Sequence, residues 1–210
     1  MKKLFTLFCL MLGLSSTQVL AATDNPVELI KDSSRQVLDI LKQDNGRNTK
    51  QVRQQAEAVA VPLFDFPRMT ALAVGLGWRQ ASPEQRNELT QQFQTLLVRT
   101  YSTTMTRFKT AQVNVQPNPV AGANSKDITV KSSVTLPGNA NPVSVDYVLN
   151  KGDKGWKIYN VSVEGASLVT VYRNSFTEEI RKNGVDGLIK LLQDKNAGPA
   201  SAAPAAKGKG

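Results

Sequence analysis

Histidine is absent from this chain of 210 residues, and cysteine occurs once, at Cys9. Without imidazole the chain cannot form a Ser-His-Asp or Cys-His nucleophile, an imidazole general base or a histidine-containing zinc site. Carboxylates are therefore the main candidates for acid–base chemistry. The sequence also lacks a Walker pattern, and its G-L-G at residues 75–77 has neither the third glycine nor the preceding strand of a dinucleotide site. We expect no metal and no cofactor.

The N-terminus has the layout of a secretory signal peptide, with Lys2 and Lys3, an apolar run over residues 4–14 and small residues in V-L-A spacing. The apolar run is shorter than the roughly 20 residues that span a bilayer. We expect removal of the segment 1–21 and an exported, periplasmic product. Cys9 lies inside the run without the small preceding residue of a lipidation site, so it is not expected to anchor the protein.

The chain is basic, with a formal net charge of +9. Loss of Lys2 and Lys3 with the signal peptide leaves +7. In an exported protein this balance favours attraction to anionic lipid head groups over binding of nucleic acid. Because the lysines and arginines are scattered, a surface that only keeps the protein soluble is the alternative.

The first half of the chain predicts helices. The sequence N-P-V-E at 25–28 begins one helix, which ends at Asn45-Gly46. A second helix is expected over about 49–61, and the segment 62–80 is interpreted as one brief helix and a turn. The capping signature S-P-E-Q at 82–85 begins the longest helix.

After Thr110 the apolar period changes from 3.6 residues to two. The alternation predicts four strands, at 113–115, 128–136, 143–149 and 156–163, within a sheet over about 111–164. Tight turns predict that the last three strands form an antiparallel meander. The apolar phase shifts between Ile158 and Tyr159, which indicates a bulge and a curved sheet. Ser132 interrupts the apolar face of its strand.

Helical spacing returns over 166–194, with a break at Asn183-Gly184. The end of the chain, 196–210, is rich in Ala, Pro and Gly and is predicted to be disordered. The pattern therefore favours a single α+β domain over 22–195, in which helices pack over a curved four-stranded antiparallel sheet.

Two acids leave an enzymatic function open. Asp146 lies on the polar register of its strand, and Glu164 lies at the junction between the last strand and a helix. A carboxylate in a cavity lined by a sheet is a reasonable general acid–base group, so an isomerase or hydrolase is one alternative. For Glu164, a hydrogen bond to backbone N–H groups of the following turn is the structural alternative. A periplasmic chaperone with a peptide groove is a third possibility.

The order of segments resembles the MlaC family, the toluene-tolerance type of periplasmic phospholipid carrier. The resemblance rests on SPEQRNELTQQFQTLLVRTY (82–101), WKIYNVSVEGASLV (156–169) and GVDGLIKLL (184–192). The second segment is the most specific. It departs from the family pattern at Asn160, where the family more often has Asp.

The resemblance implies a fold similar to the nuclear-transport-factor-2 and cystatin classes, with lipid tails held between helices and sheet. It implies a soluble carrier that maintains outer-membrane lipid asymmetry. The expected partners are phospholipid, an outer-membrane lipoprotein–porin complex and the substrate-binding subunit of an inner-membrane ABC transporter complex. No enzymatic activity is expected.

On this hypothesis the inward-facing apolar residues of the sheet and the covering helices contact lipid tails, and Ser132 leaves space for them. The expected tail-contacting residues are Leu97, Tyr101, Met105, Val130, Ser132, Val134, Val145, Tyr147, Leu149, Trp156, Ile158, Val161, Val163, Leu168 and Tyr172. Head groups are expected at Arg107, Lys109 and Arg173. The alternative for each apolar residue is a dry core.

Overall fold

The structure, a computed structural model, describes residues 24–122, 126–138 and 141–199. The predicted signal peptide (1–21) lies outside these ranges, as does the predicted tail after residue 199. Within the described ranges, no helix combines the length and the apolar character that crossing a membrane would require.

Six helices and six strands follow one another along the described chain. The helices are α1 (Pro26–Leu41), α2 (Thr49–Ala60), α3 (Phe66–Val74), α4 (Leu76–Gln80), α5 (Pro83–Met105) and α6 (Leu168–Ala197), with 3-10 turns at Val61–Leu63 and Thr106–Phe108. The strands are β1 (Gln112–Val115), β2 (Val120–Ala121), β3 (Asp127–Thr135), β4 (Val143–Gly152), β5 (Gly155–Val163) and β6 (Ala166–Ser167).

The capping signals predicted from sequence are present at the helix ends. The Asn25 side chain accepts the Val27 N–H at 2.9 Å at the start of α1. At α5 the Ser82 side chain accepts the Gln85 N–H, and the Gln85 side chain accepts the Ser82 N–H at 2.9 Å. These contacts satisfy N–H groups that have no partner inside the helix.

The segment 62–80 departs from its prediction, because it forms two helices instead of one. Gly75, with a φ of 65°, separates α3 from α4. The break predicted at Asn183-Gly184 is confirmed as a kink within α6, where Gly184 has a φ of 70° and a ψ of −172°. Beyond it, α6 continues to Ala197 and so includes the first two positions of the predicted tail.

The strands form one antiparallel sheet in the order β1-β3-β4-β5-β6, with β2 also paired to β3. The meander of β3, β4 and β5 is confirmed. The prediction of four strands is wrong in number, because β2 and β6 also join the sheet. Each has two residues, too few for a period of two to be recognised in sequence.

The phase shift between Ile158 and Tyr159 is a β-bulge. The pairing of β4 with β5 passes from Val148 opposite Asn160 to Leu149 opposite Ile158, so Tyr159 is an extra residue. The bulge keeps Ile158 on the same buried face of the sheet as Val161, three positions further on.

The apolar core has two main parts. In one, Val27 and Ile30 of α1 pack on the sheet against Val130, Leu149 and Ile158. The other lies between α3, α5 and α6. At its centre the fully buried Phe93 meets the rings of Tyr172 and Phe176 edge-on, at centroid distances of 5.0 and 5.2 Å. The space between these two parts contains the candidate site.

Candidate functional site

An apolar cavity of about 230 Å3 lies between the sheet and the helices that cover it. Its walls come from α2 and the following 3-10 turn, α3, α5, β4, β5 and the first residue of α6. The lining side chains are Glu57, Ala60, Val61, Phe64, Phe66, Met69, Leu97, Val98, Tyr101, Ser102, Met105, Tyr147, Val161, Val163 and Leu168. Glu57 is the only charged residue among them.

The segment between α2 and α3 is attached to the sheet at the bulge. The Asp65 N–H donates to the Ile158 carbonyl at 2.8 Å, and Phe64 forms a parallel bridge with Ile158. The Asp65 side chain then accepts the Arg68 N–H at 3.0 Å and caps α3. These contacts position the stacked rings of Phe64 and Phe66 as one wall of the cavity, with the ring centroids 5.6 Å apart.

A second wall is the C-terminal half of α5. Leu97, Tyr101 and Met105 recur every four residues and share one helix face. Val98 and Ser102 form the neighbouring stripe on the same helix. The spacing therefore presents a broad apolar surface to the sheet, as the sequence pattern predicted for this helix.

The sheet provides Tyr147 from β4 with Val161 and Val163 from β5. Tyr147 and Val161 are opposite one another in the strand pairing. At the other end of the same face, Val27 and Ile30 of α1 pack on the sheet. The cavity thus lies where helix α1 no longer covers the inward residues.

The tyrosines at the cavity are held neutral. Burial raises the pKa of Tyr147, and a hydrogen bond with the Ser132 hydroxyl opposes that rise. Burial also raises the pKa of Tyr101, as does its contact with the Tyr172 hydroxyl. Tyr172 likewise has a raised pKa, chiefly because it is buried. Apart from Glu57, the lining residues are neutral and largely apolar, which suits hydrocarbon.

Seven of the predicted tail-contacting residues line this cavity. They are Leu97, Tyr101, Met105, Tyr147, Val161, Val163 and Leu168. They come from α5, β4, β5 and α6, so the structure brings together residues that the sequence could only assign to separate apolar faces.

The other predicted residues of the sheet lie outside the cavity lining. Four of them belong to the packed core beneath α1: Val130, Leu149, Trp156 and Ile158. Val145 is half-buried against that core. Val134 is half-buried opposite Val143. The Ser132 hydroxyl donates to the Val145 carbonyl at 2.8 Å.

Tyr172 packs in the helical core, where its hydroxyl contacts that of Tyr101. The three predicted head-group residues do not line the cavity. Arg107 and Lys109 are exposed just after α5. Arg173 donates from Nε to the Leu72 carbonyl at 2.8 Å and borders a different surface groove.

Eight lining residues were not predicted from the sequence. They are Glu57, Ala60, Val61, Phe64, Phe66, Met69, Val98 and Ser102. Val98 and Ser102 follow predicted residues by one position, so a wider helical stripe would have included them. The apolar density of PLFDFPRM (62–69) was a second signal, but its position over the sheet depends on the Asp65 contact with Ile158.

Neither acid of the enzymatic alternative lies in the cavity lining. Asp146 is on the polar register of β4, opposite Lys131 and Ser162. The Glu164 carboxylate accepts the backbone N–H of Ser144, and its own N–H donates to the Ser144 carbonyl at 3.0 Å. This structural contact is with the neighbouring strand, whereas the sequence suggested the following turn.

Asn160, the departure from the family pattern, has a polar role in the fold. Its side-chain oxygen accepts from the Ser167 hydroxyl at 3.0 Å and from the Val169 N–H at 3.4 Å. Because both partners are neutral donors, the amide oxygen of asparagine fulfils the role that a carboxylate oxygen would have.

Helices over one face of an antiparallel sheet, with an apolar cavity between the layers, define an α+β protein with an internal site for an apolar ligand. The family model described as MlaC protein matches residues 31–194. The chain belongs to the MlaC family, which confirms the resemblance read from the sequence.

The relatives of the chain include two curated proteins and one solved structure. The intermembrane phospholipid transport system binding protein MlaC of Haemophilus influenzae is 21% identical over 209 residues, 95% of each chain. Toluene tolerance protein ttg2D of Pseudomonas putida is 23% identical over 170 residues, 79% of this chain and 77% of that one. The phospholipid-binding protein of Ralstonia solanacearum, solved in complex with a phospholipid, is 35% identical with a TM-score of 0.71, over 81% of this chain and 96% of its own.

Proposed function

We propose that this protein binds phospholipid and carries it between membranes, with acyl chains held in the cavity between α5 and the sheet. The observation that carries the proposal is the apolar cavity itself. Membership of the MlaC family and the similarity to a protein solved with phospholipid support a lipid as its ligand. The proposal includes a periplasmic location, as expected from the signal peptide.

The energetic need for such a carrier is large. Transfer of about 30 methylene groups from hydrocarbon to water costs roughly 25 kcal/mol, at about 0.8 kcal/mol per CH2. Free diffusion of a two-chain phospholipid through water is therefore negligible. A protein that covers the chains removes this cost, and direction then depends on the relative affinities of the delivering and receiving complexes.

The cavity must widen to hold a whole lipid. Its volume of about 230 Å3 is below the roughly 300–1,000 Å3 of sites that enclose a drug-sized ligand. Two acyl chains exceed such a ligand, so the described conformation encloses only part of a chain. We infer that loading separates the helical layer from β4 and β5, which adds apolar surface to the site.

The partners of this carrier are proposed from the family. An outer-membrane lipoprotein–porin complex and the substrate-binding subunit of an inner-membrane ABC transporter complex would exchange lipid with it. No step in this function needs a catalytic group or a cofactor. Glu164 would then have only its structural contact with Ser144.

Native mass spectrometry of protein purified from its own host tests the proposal. We expect co-purified phospholipid, released on unfolding. Protein that carries peptide, or carries no lipid after purification without detergent, would contradict it. The variant Glu164→Gln separates a carrier from an enzyme: a carrier retains bound lipid, whereas an enzyme that uses this carboxylate loses turnover while it stays folded.

A further inference from the structure

A second, larger groove lies on the surface between α3 and α4 on one side and α6 on the other. Its volume is about 790 Å3. Three arginines line it, Arg79, Arg173 and Arg181, and its lining includes no aspartate or glutamate. We call this feature the arginine groove. It is separate from the apolar cavity, with which it shares no lining residue.

An exposed leucine stands at the groove. Leu76, the first residue of α4, is 78% exposed, the largest exposure among the big apolar side chains of the described residues. Trp78 lies two positions further on and is half-buried. Leu76 and Trp78 together give the groove apolar surface beside its three arginines.

The position of Leu76 is fixed by the backbone around it. Gly75 has a φ of 65°, a backbone angle that residues other than glycine rarely adopt. At Gly77, a Cβ would lie 2.6 Å from Cδ1 of Ile180, so α4 closely approaches α6. The turn that carries Leu76 is therefore held against α6, and the leucine is presented from a fixed site.

The arginines are available for an external anion. Arg79 and Arg181 are exposed, and none of the three arginines takes part in an ion pair with the described acids. Arg173 bonds the Leu72 carbonyl through Nε, which fixes its guanidinium at the groove. Guanidinium groups pair with phosphate through two parallel N–H bonds.

We propose that the arginine groove is the face through which the protein docks on an anionic lipid bilayer. Leu76 enters the interface, Trp78 lies at head-group level and the three arginines pair with lipid phosphates. The combination of a projecting leucine with cations and no carboxylate in the lining favours a lipid surface over a protein partner. This inference rests on the proposed carrier function, because a carrier must approach membranes to exchange lipid.

Sedimentation with vesicles tests this proposal. We expect the full mature protein to bind vesicles of phosphatidylcholine mixed with phosphatidylglycerol, and not vesicles of phosphatidylcholine alone. Raising the salt concentration weakens the binding, because it screens the charges. Because each basic side chain near an anionic surface strengthens binding about fivefold, Arg79→Glu combined with Arg181→Glu lowers the partition coefficient at least about 25-fold.

Matched control variants distinguish an effect of this groove from the effects of changing the net charge or removing an exposed apolar side chain elsewhere. Arg47→Glu combined with Lys50→Glu makes the same change in net charge at two exposed residues outside the groove. Leu76→Ser is expected to weaken vesicle binding, whereas Val120→Ser, at another exposed apolar residue, leaves it unchanged.

Native mass spectrometry of each variant reports bound lipid separately, so loss of carrier function and loss of docking are distinguishable. Equal vesicle binding by the groove and control variants would overturn the proposal. A second result would also overturn it: the wild-type protein does not bind anionic vesicles, and the groove variants fail to receive lipid from a membrane protein complex. The groove would then be a protein-docking site.

Discussion

The Arg68 guanidinium joins helix α3 to the sheet through Asp127, with Nη2 at 3.2 and 3.3 Å from the two carboxylate oxygens. The same guanidinium lies over the Tyr159 ring, 3.7 Å from its centroid. Asn150 donates to Asp127 Oδ1 at 2.7 Å. The contacts connect α3, which contributes Phe66 and Met69 to the cavity wall, with three strands of the sheet.

Arg68→Ala is expected to destabilise the protein by about 1–3 kcal/mol. The substitution removes the hydrogen bonds between the guanidinium and the carboxylate, and it removes the positive charge that faces the largely buried Asp127 side chain. The Arg68 side chain is 32% exposed and that of Asp127 8%, so solvent screening reduces the loss below that of a fully buried pair. Urea unfolding measures the change, and a double-mutant cycle with Asp127→Ala gives the pair interaction.

Arg35→Ala is the matched control for this ion pair. Arg35 contacts Asp32 at 2.6 Å, but the two side chains are 66% and 47% exposed. A change of less than about 1 kcal/mol is expected, as is usual for surface pairs. Equal losses for Arg68→Ala and Arg35→Ala would show that the contact between α3 and the sheet has no special role in stability.

Val163→Glu should lower phospholipid occupancy at least about tenfold, because it places a charge without a partner in the apolar lining. Native mass spectrometry measures the bound fraction, and circular dichroism checks that the variant folds. Val134→Glu is the control, since Val134 is half-buried in the same sheet but does not line the cavity. Normal loading of folded Val163→Glu would place the lipid elsewhere.

Ala60→Phe fills the cavity with an aromatic ring instead of a charge. Ala60 is a half-buried lining residue at the end of α2. We expect reduced lipid uptake with a change in stability of less than about 1.5 kcal/mol, because the ring occupies existing space. Ala58→Phe changes an exposed position of the same helix and should load normally. If the two variants take up equal amounts of lipid, this cavity does not determine binding.

The stability of the protein should fall at alkaline pH. All four tyrosines have a raised pKa in the fold, with burial as the largest cause in each: Tyr101, Tyr147, Tyr159 and Tyr172. In the unfolded chain tyrosine ionises near pH 10. Their contribution to stability is therefore fully present below about pH 10 and is lost as pH rises towards the raised pKa values.

Phenolate absorbance and near-ultraviolet circular dichroism, followed together against pH, measure this effect. Ionisation of the tyrosines is expected to accompany unfolding. Tyrosines that ionise near pH 10 in a protein that remains folded would contradict the raised pKa values. No histidine is present, so no imidazole contributes a transition near neutral pH.

The sequence by itself determined much of the local structure. Capping residues such as Asn25 and Ser82 specify helix starts through hydrogen bonds within a few residues. Strict alternation identified the four long strands, and the change of phase located the bulge at Tyr159. These features were predictable because the interactions that cause them lie within one element or between adjacent strands.

The tertiary structure alone decided which apolar residues line the cavity. Leu149 and Tyr147 point to the same face of β4, yet Leu149 packs beneath α1 and Tyr147 faces the cavity. A period in the sequence identifies the apolar face of a strand or helix. Whether a residue on that face meets a neighbouring side chain or open space depends on the element packed opposite. The position of that element is fixed by contacts between residues far apart in the chain, such as those of Asp65 with Ile158 and Arg68 with Asp127.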